Sequence, residues 1–222
     1  PVDRFTAWNE TGGSVFSSIT TNNQFRDCNG WYHIVLRWDT TQSTSTDRLR
    51  MYVNGTNIND LGGYASYTAP AQDATFGSFS STSCKFDIGY YRGANNEHFD
   101  GYLTHIHLCD GYSYAPTEFG STDSTTGSWS INPSPNVSYG TNGFWLFKDD
   151  NALTDASAGS NNFTSVGGNL TLSQDNPSNV FCIPNRNHRE NTNLTFSGAG
   201  QRLECASGVN WLGNAGTIGV KK

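Results

Sequence analysis

Basic charge is what this chain has least of. Its 222 residues hold only four lysines, Lys85, Lys148, Lys221 and Lys222, and the net charge is -6. No basic patch can track a phosphate backbone, which argues against nucleic-acid binding. The acidity is thinly spread and reads as ordinary solubility rather than a cationic partner. No stretch approaches the roughly 18 consecutive apolar residues of a membrane span, and no signal peptide is visible. Five cysteines, Cys28, Cys84, Cys109, Cys182 and Cys205, are widely spaced with no C-x-x-C pair. An odd count disfavours a complete disulfide framework, so the expectation is free buried thiols formed in a reducing cytoplasm, with one bridge as the alternative. The nucleophile elbow G-x-S-x-G and the phosphate loop G-x-x-x-x-G-K are both missing. Six N-x-S/T sequons occur, no more than chance supplies in a chain this rich in Asn, Ser and Thr.

What is present suits strands. Aromatic residues make up 13% of the chain, charged residues 14%, and there are 24 glycines. That mixture fits many short strands joined by small polar turns. Its clearest expression is WYHIVLRWDTTQSTSTDRLRMYVNG, Trp31 to Gly55. Tyr32, Ile34, Leu36 and Trp38 alternate with Trp31, His33, Val35 and Arg37. Leu49, Met51 and Val53 alternate with Arg48, Arg50 and Tyr52. Period-two alternation of β-branched and aromatic residues predicts half-buried antiparallel strands. Asn54-Gly55 supplies the positive φ angles of a tight type I′ turn.

With FDGYLTHIHLCDG at 99–111, this segment resembles the laminin-G/pentraxin-like branch of the concanavalin A-like lectins and glucanases. SYAPTEFGSTDSTTGSW (113–129), YGTNGFWLFKDD (139–150) and SAGSNNFT (157–164) look like the lectin-like modules of bacteriophage tail fibres and other virion proteins. The resemblance covers most of residues 25–190. It implies an all-β, antiparallel concanavalin A-like jelly-roll sandwich over 1–165, with N-terminal strands missing from this chain. An irregular extension, 166–222, would lead towards a further module. It also implies a non-enzymatic virion protein assembled in a host cytoplasm: a tail fibre, spike or capsid-attached fibre. Its partners would be other virion proteins, copies of itself (a trimer by analogy) and host surface glycans. A calcium-dependent soluble or secreted lectin is the alternative from another class, and a glucanase the third reading.

Strands are expected at 31–39, 48–54, 84–91, 99–109 and 143–148, and residues 3–8 and 14–20 read as two more. Short strands are expected at 169–173 and within 193–207. Ala115 to Phe119, with Pro116 in its first turn and Gly120 at its stop, predicts a single helical turn. Residues 120–142 read as a surface excursion, and 149–162 as a polar loop of turn formers.

A glucanase needs two carboxylates across the sugar, carried on a strand as alternating acids. Glutamate occurs only at 10, 97, 118, 190 and 204, none with an acid two positions away. His105 and His107 alternate, and a zinc site would need a third ligand, for which His33 is the candidate. The plainer expectation is hydrogen-bonded structural histidines. Calcium wants six to eight oxygens; Asp39, Asp47, Asp100 and Asp149 are its candidate ligands, against a default of solvated turns. Tyr64, Tyr67, Tyr90, Tyr91, Tyr112 and Tyr114 fall near loops or strand ends, where they would contact either a glycan or another subunit.

Overall fold

The structure is a computed structural model that describes residues 3–11, 14–27, 30–75, 86–91, 97–148, 153–165, 170–171, 177, 194–197 and 202–205. The chain divides into two units, Pro1–Asn169 and Leu170–Lys222. The first carries β1 (Thr6–Thr11), β2 (Ser14–Thr21), β3 (Ile34–Trp38), β4 (Leu49–Val53), β5 (Thr56–Asn57) and β6 (Tyr64–Thr68). It continues with β7 (Tyr90–Tyr91), β8 (Glu97–His98), β9 (Ile106–Leu108), β10 (Gly120–Thr122), β11 (Trp129–Ile131) and β12 (Phe144–Leu146). In the second, β13 (Leu194–Ser197) and β14 (Arg202–Cys205) form an antiparallel pair within the stretch expected to hold strands. The described helices are short 3-10 turns, and none is long and apolar enough to cross a membrane. Among the described residues the protein is built mostly of strands, in small antiparallel sheets, with few helical turns.

Two three-stranded sheets, β1-β2-β6 and β3-β4-β5, enclose the main core. Ile19 of β2 meets Leu49, Met51 and Val53 of β4, with Ile58 from the 3-10 turn Ile58–Leu61. Each such side chain taken out of water contributes roughly 1.5–3 kcal/mol. The alternation in β4 follows the expectation. That in β3 does so only partly: Ile34 and Leu36 lie opposite Val53 and Met51, yet they are 40% and 42% exposed against 3% for Met51. β3 is an outer strand of its sheet: its Trp38 packs against the core, while Ile34 and Leu36 stay exposed.

The second face of β3-β4-β5 is also packed. Trp129 of β11 stacks on His33, centroids 5.6 Å apart, and its Nε1 donates to His33 Nδ1 at 3.1 Å. Asn54 and Gly55 both take the left-handed conformation of the expected turn, with φ of 47° and 77°. A Cβ on Gly55 would sit 2.1 Å from the Trp129 ring, so this glycine answers both to the turn and to the close approach.

Several boundaries differ from expectation. The predicted strand 99–109 begins only at Ile106, because His105 sits at φ 48°, in the left-handed region, and ends the extended run before it. His105 therefore lies outside β9 and does not alternate with His107 along one strand. In 84–91 the described strand is Tyr90–Tyr91 alone. The stretch read as an excursion holds the hairpin β10–β11, closed by Asp123, whose Oδ1 accepts from the amides of Thr125 and Thr126. The helical turn at Pro116–Glu118 is as expected.

Candidate functional site: an exposed tyrosine on an anchored aromatic stack

β9 and β12 pair so that His107 lies opposite Trp145. All three residues of β12 are buried. Around the His107 ring stand Trp145 at 5.0 Å, Phe119 at 5.2 Å and Tyr139 at 6.0 Å, and the Tyr139 hydroxyl is 2.8 Å from His107 Nδ1. Lys148 Nζ sits 5.0 Å above the Trp145 ring, a cation–π contact. From Phe119 the aromatic contacts run outward. Tyr114 meets it edge-on at 6.3 Å, and Tyr112 stacks on Tyr114 at 5.8 Å with only 16° between the rings. Phe119 is buried, whereas Tyr112 is 50% exposed.

Local bonds hold this arrangement. Residues 112 and 114 project to one side, as alternate residues of an extended segment do. Ser113 is held by Arg37 of β3, whose Nε and Nη2 each lie 3.1 Å from its Oγ. The Ser138 amide donates to the Tyr114 hydroxyl at 2.8 Å. The Asp110 amide donates to the Tyr139 carbonyl, and Asp110 Oδ2 accepts from the Asn142 amide and Nδ2. Gly140, at φ 71°, lets this loop close on Asp110; a Cβ there would fall 2.1 Å from the Asp110 carbonyl oxygen.

Against β12 stands a group from the stretch expected to be a polar loop. Asp155 is 7% exposed and its carboxylate accepts four bonds of 2.8 Å, from the amides of Trp145, Ser157 and Asn161 and from the Ser157 hydroxyl. Burial pushes its pKa up, but these donors outweigh burial and hold it below the ordinary value. Asn161 Nδ2 adds bonds to the carbonyls of Thr141 and Gly143. The loop thus clamps β12. The visible signal is Asp-x-Ser, a spacing that forms local side-chain turns.

The six tyrosines singled out from sequence do not form one cluster. Tyr64 and Tyr67 make a second stack, at 5.3 Å and 26°, facing the core. They share a face although three residues apart, because a bulge at Ala65 shifts the register between Ser66 and Tyr64. The Tyr67 hydroxyl lies 3.1 Å from the carbonyls of both Ser45 and Leu49, and burial raises both phenols above their ordinary pKa. Tyr90 is exposed on β7. The side chain of Tyr91 lies outside the described residues.

His107 and His33 both sit among aromatic rings, His107 with Trp145, Phe119 and Tyr139 and His33 with Trp129. Burial first, then the neighbouring His105 and His33, lowers His107 to about 3; burial and His105 lower His33. Tyr139 is raised by burial, and the free Cys109 thiol is pushed up to about 11 by the same cause. The other four expected thiols lie outside the described side chains. Among the described residues no three His, Cys, Asp or Glu side chains come together to hold a metal ion.

Of the calcium candidates, Asp39 accepts from the Thr41 amide and hydroxyl and from Gln42 Nε2. Its pKa is lowered, chiefly by the Thr41 side chain, against a smaller upward push from burial. Asp47 pairs with Arg50. Asp100 is exposed at the surface, and Asp149 lies outside the described residues.

No protein-family model, curated protein or solved structure matches the chain.

Proposed function

We propose that the chain is a non-enzymatic structural and adhesion protein of a bacteriophage virion, part of a tail fibre, spike or capsid-attached fibre. In this reading its small sheets belong to a concanavalin A-like jelly-roll sandwich that presents surface to other virion proteins, to copies of itself and to host glycans. The virion setting rests on the motifs at 113–129, 139–150 and 157–164. The observation that carries the assembly role is where the large apolar side chains stand. Val15 and Phe16 of β2, Trp8 of β1, and Ile34 and Leu36 of β3 are all exposed on strands. Phe16 also borders an open depression of about 320 Å³ walled by Trp38, Pro70, Ala71 and Ala74. Apolar strand surface of this kind invites uncontrolled pairing unless a partner covers it.

The test is to locate the chain in purified particles and measure its oligomeric state. Detection in the particle in symmetric copies, a trimer first among them, is the expected result. A chain absent from purified particles and monomeric in solution overturns the proposal.

A further inference from the structure

We infer that Tyr112 is the stacking platform of a saccharide site, and that its ligand is a neutral pyranoside whose C–H face lies on the exposed side of the ring. The inference rests on the adhesion half of the function proposed above and gives it a location and a ligand class.

The geometry separates Tyr112 from an ordinary surface tyrosine. One face is already occupied by Tyr114 at 5.8 Å, and Tyr114 is fixed by the Ser138 amide and by buried Phe119. The ring is therefore oriented before any ligand arrives, and little freedom remains to be lost on binding. Its half-exposed ring offers a flat apolar face, which is the surface a pyranose C–H face matches.

The neighbouring charges select the class of sugar. Asp110, two residues back across the Gly111 turn, has one carboxylate oxygen engaged by Asn142. Its other oxygen, Oδ1, accepts from none of the other described residues in the hydrogen bonds of this loop, which leaves it able to accept a hydroxyl. Arg37, whose guanidinium is charged at any ordinary pH, is bound to Ser113 in this same segment. Asp110 and Arg37 offset one another at this segment, on a chain of net charge -6, so there is no net positive charge to recruit a uronic or sialic acid, which favours a neutral sugar.

The experiment is saturation-transfer NMR on the full chain with methyl β-galactopyranoside, methyl β-glucopyranoside and N-acetylneuraminic acid, each at millimolar concentration. At least one neutral glycoside should receive saturation on its ring C–H protons, and the acid should receive none. Tyr112→Ala and Tyr112→Leu should both weaken that binding about fivefold or more, since leucine keeps apolar area but lacks the aromatic face. Tyr102→Ala, which removes an exposed tyrosine elsewhere, should leave it unchanged. Silence with both neutral glycosides, binding of the acid alone, or equal binding by the Tyr112 variants overturns the inference. If Tyr112→Ala instead dissociates the oligomer, Tyr112 is a subunit contact and the inference falls while the virion reading stands.

Discussion

Among the described residues two tyrosine pairs stack, and they are built for opposite ends. Tyr64 and Tyr67 stack at 5.3 Å and spend their other surfaces on Ile19, Leu49 and their neighbours. Tyr112 and Tyr114 stack at 5.8 Å, and the outer ring keeps half its surface in water. Ring stacking alone therefore does not mark a site. What decides is what lies on the far face of the pair: a packed core in one case, solvent in the other. The roots differ as well. The first pair sits on an aliphatic core, whereas the second is rooted in His107, Tyr139 and Trp145.

The root should make acid sensitivity a property of the second region, and this is the largest effect expected. Folded His107 titrates at about 3 against 6.5 when unfolded, burial being the main cause and His105 and His33 adding to it. Above pH 6.5 the ring is neutral in both states and the shift has no consequence. As pH falls below 6.5, the unfolded chain takes a proton that the folded chain refuses, so stability declines down to about pH 3. The loss across that window is on the order of 4 kcal/mol, and His33, also lowered, acts in the same direction. Urea midpoints measured from pH 7 to 4 should show this slope in wild type and in Tyr67→Ala, and a much flatter one in His107→Phe. An unchanged slope in His107→Phe would erase the distinction between the two roots.

Next in size is Asp155→Ala, which strands the amides of Trp145, Ser157 and Asn161 beneath the same root and should cost about 3 kcal/mol. Its signature beyond stability is local: hydrogen exchange at the Trp145 amide should accelerate more than at Tyr67. On the other side, Tyr67→Ala removes a ring packed on Leu49 and a hydroxyl bonded to two carbonyls. It should lower stability by about 2 kcal/mol, read as a drop in Tm. It should leave glycoside binding untouched.

Part of this contrast was legible in the sequence. The alternation of Leu49, Met51 and Val53 could be read because β4 is covered on its apolar face. Asn54-Gly55 could be read because the turn chemistry is local. Tyr112 and Tyr114 could be placed near a loop or strand end from sequence, but their stacking could not, since the segment that carries them belongs to no strand. The companion pair was opaque: residues three apart on a strand face opposite ways, and only the bulge at Ala65 reunites Tyr64 with Tyr67. Ile34 and Leu36 carry the same pattern as β4, yet an outer strand's place in its sheet is a tertiary fact that alternation does not encode. Asp155 could not be read as a hub: Asp-x-Ser marks only a local turn, and three of its four donors are backbone amides, which any sequence has, assembled by folding. Phe119, Tyr139 and Trp145, far apart in the chain, come together around His107 only on folding.

Within the second region the anchor and the tip should separate. Tyr114→Phe keeps both ring contacts and loses only the bond from the Ser138 amide, at about 1 kcal/mol. Glycoside binding should weaken with it, since the ring beneath Tyr112 is then less firmly held.

The smallest stability effect belongs to Tyr112→Ala. The side chain is half exposed, and its only ring neighbour among the described residues is Tyr114. Truncation should therefore shift stability by less than about 0.5 kcal/mol, the range of surface substitutions that create neither a cavity nor an orphaned polar group. A large stabilising residue would be part of the core, as Tyr67 is; a residue costing nothing to remove has an ordered ring that the fold does not need. A Tm unchanged in Tyr112→Ala, beside a clear drop in Tyr67→Ala, is the outcome that keeps the two pairs distinct. A drop in Tyr112→Ala as large as that in Tyr67→Ala would make both stacks structural and leave the exposed ring as an accident of packing.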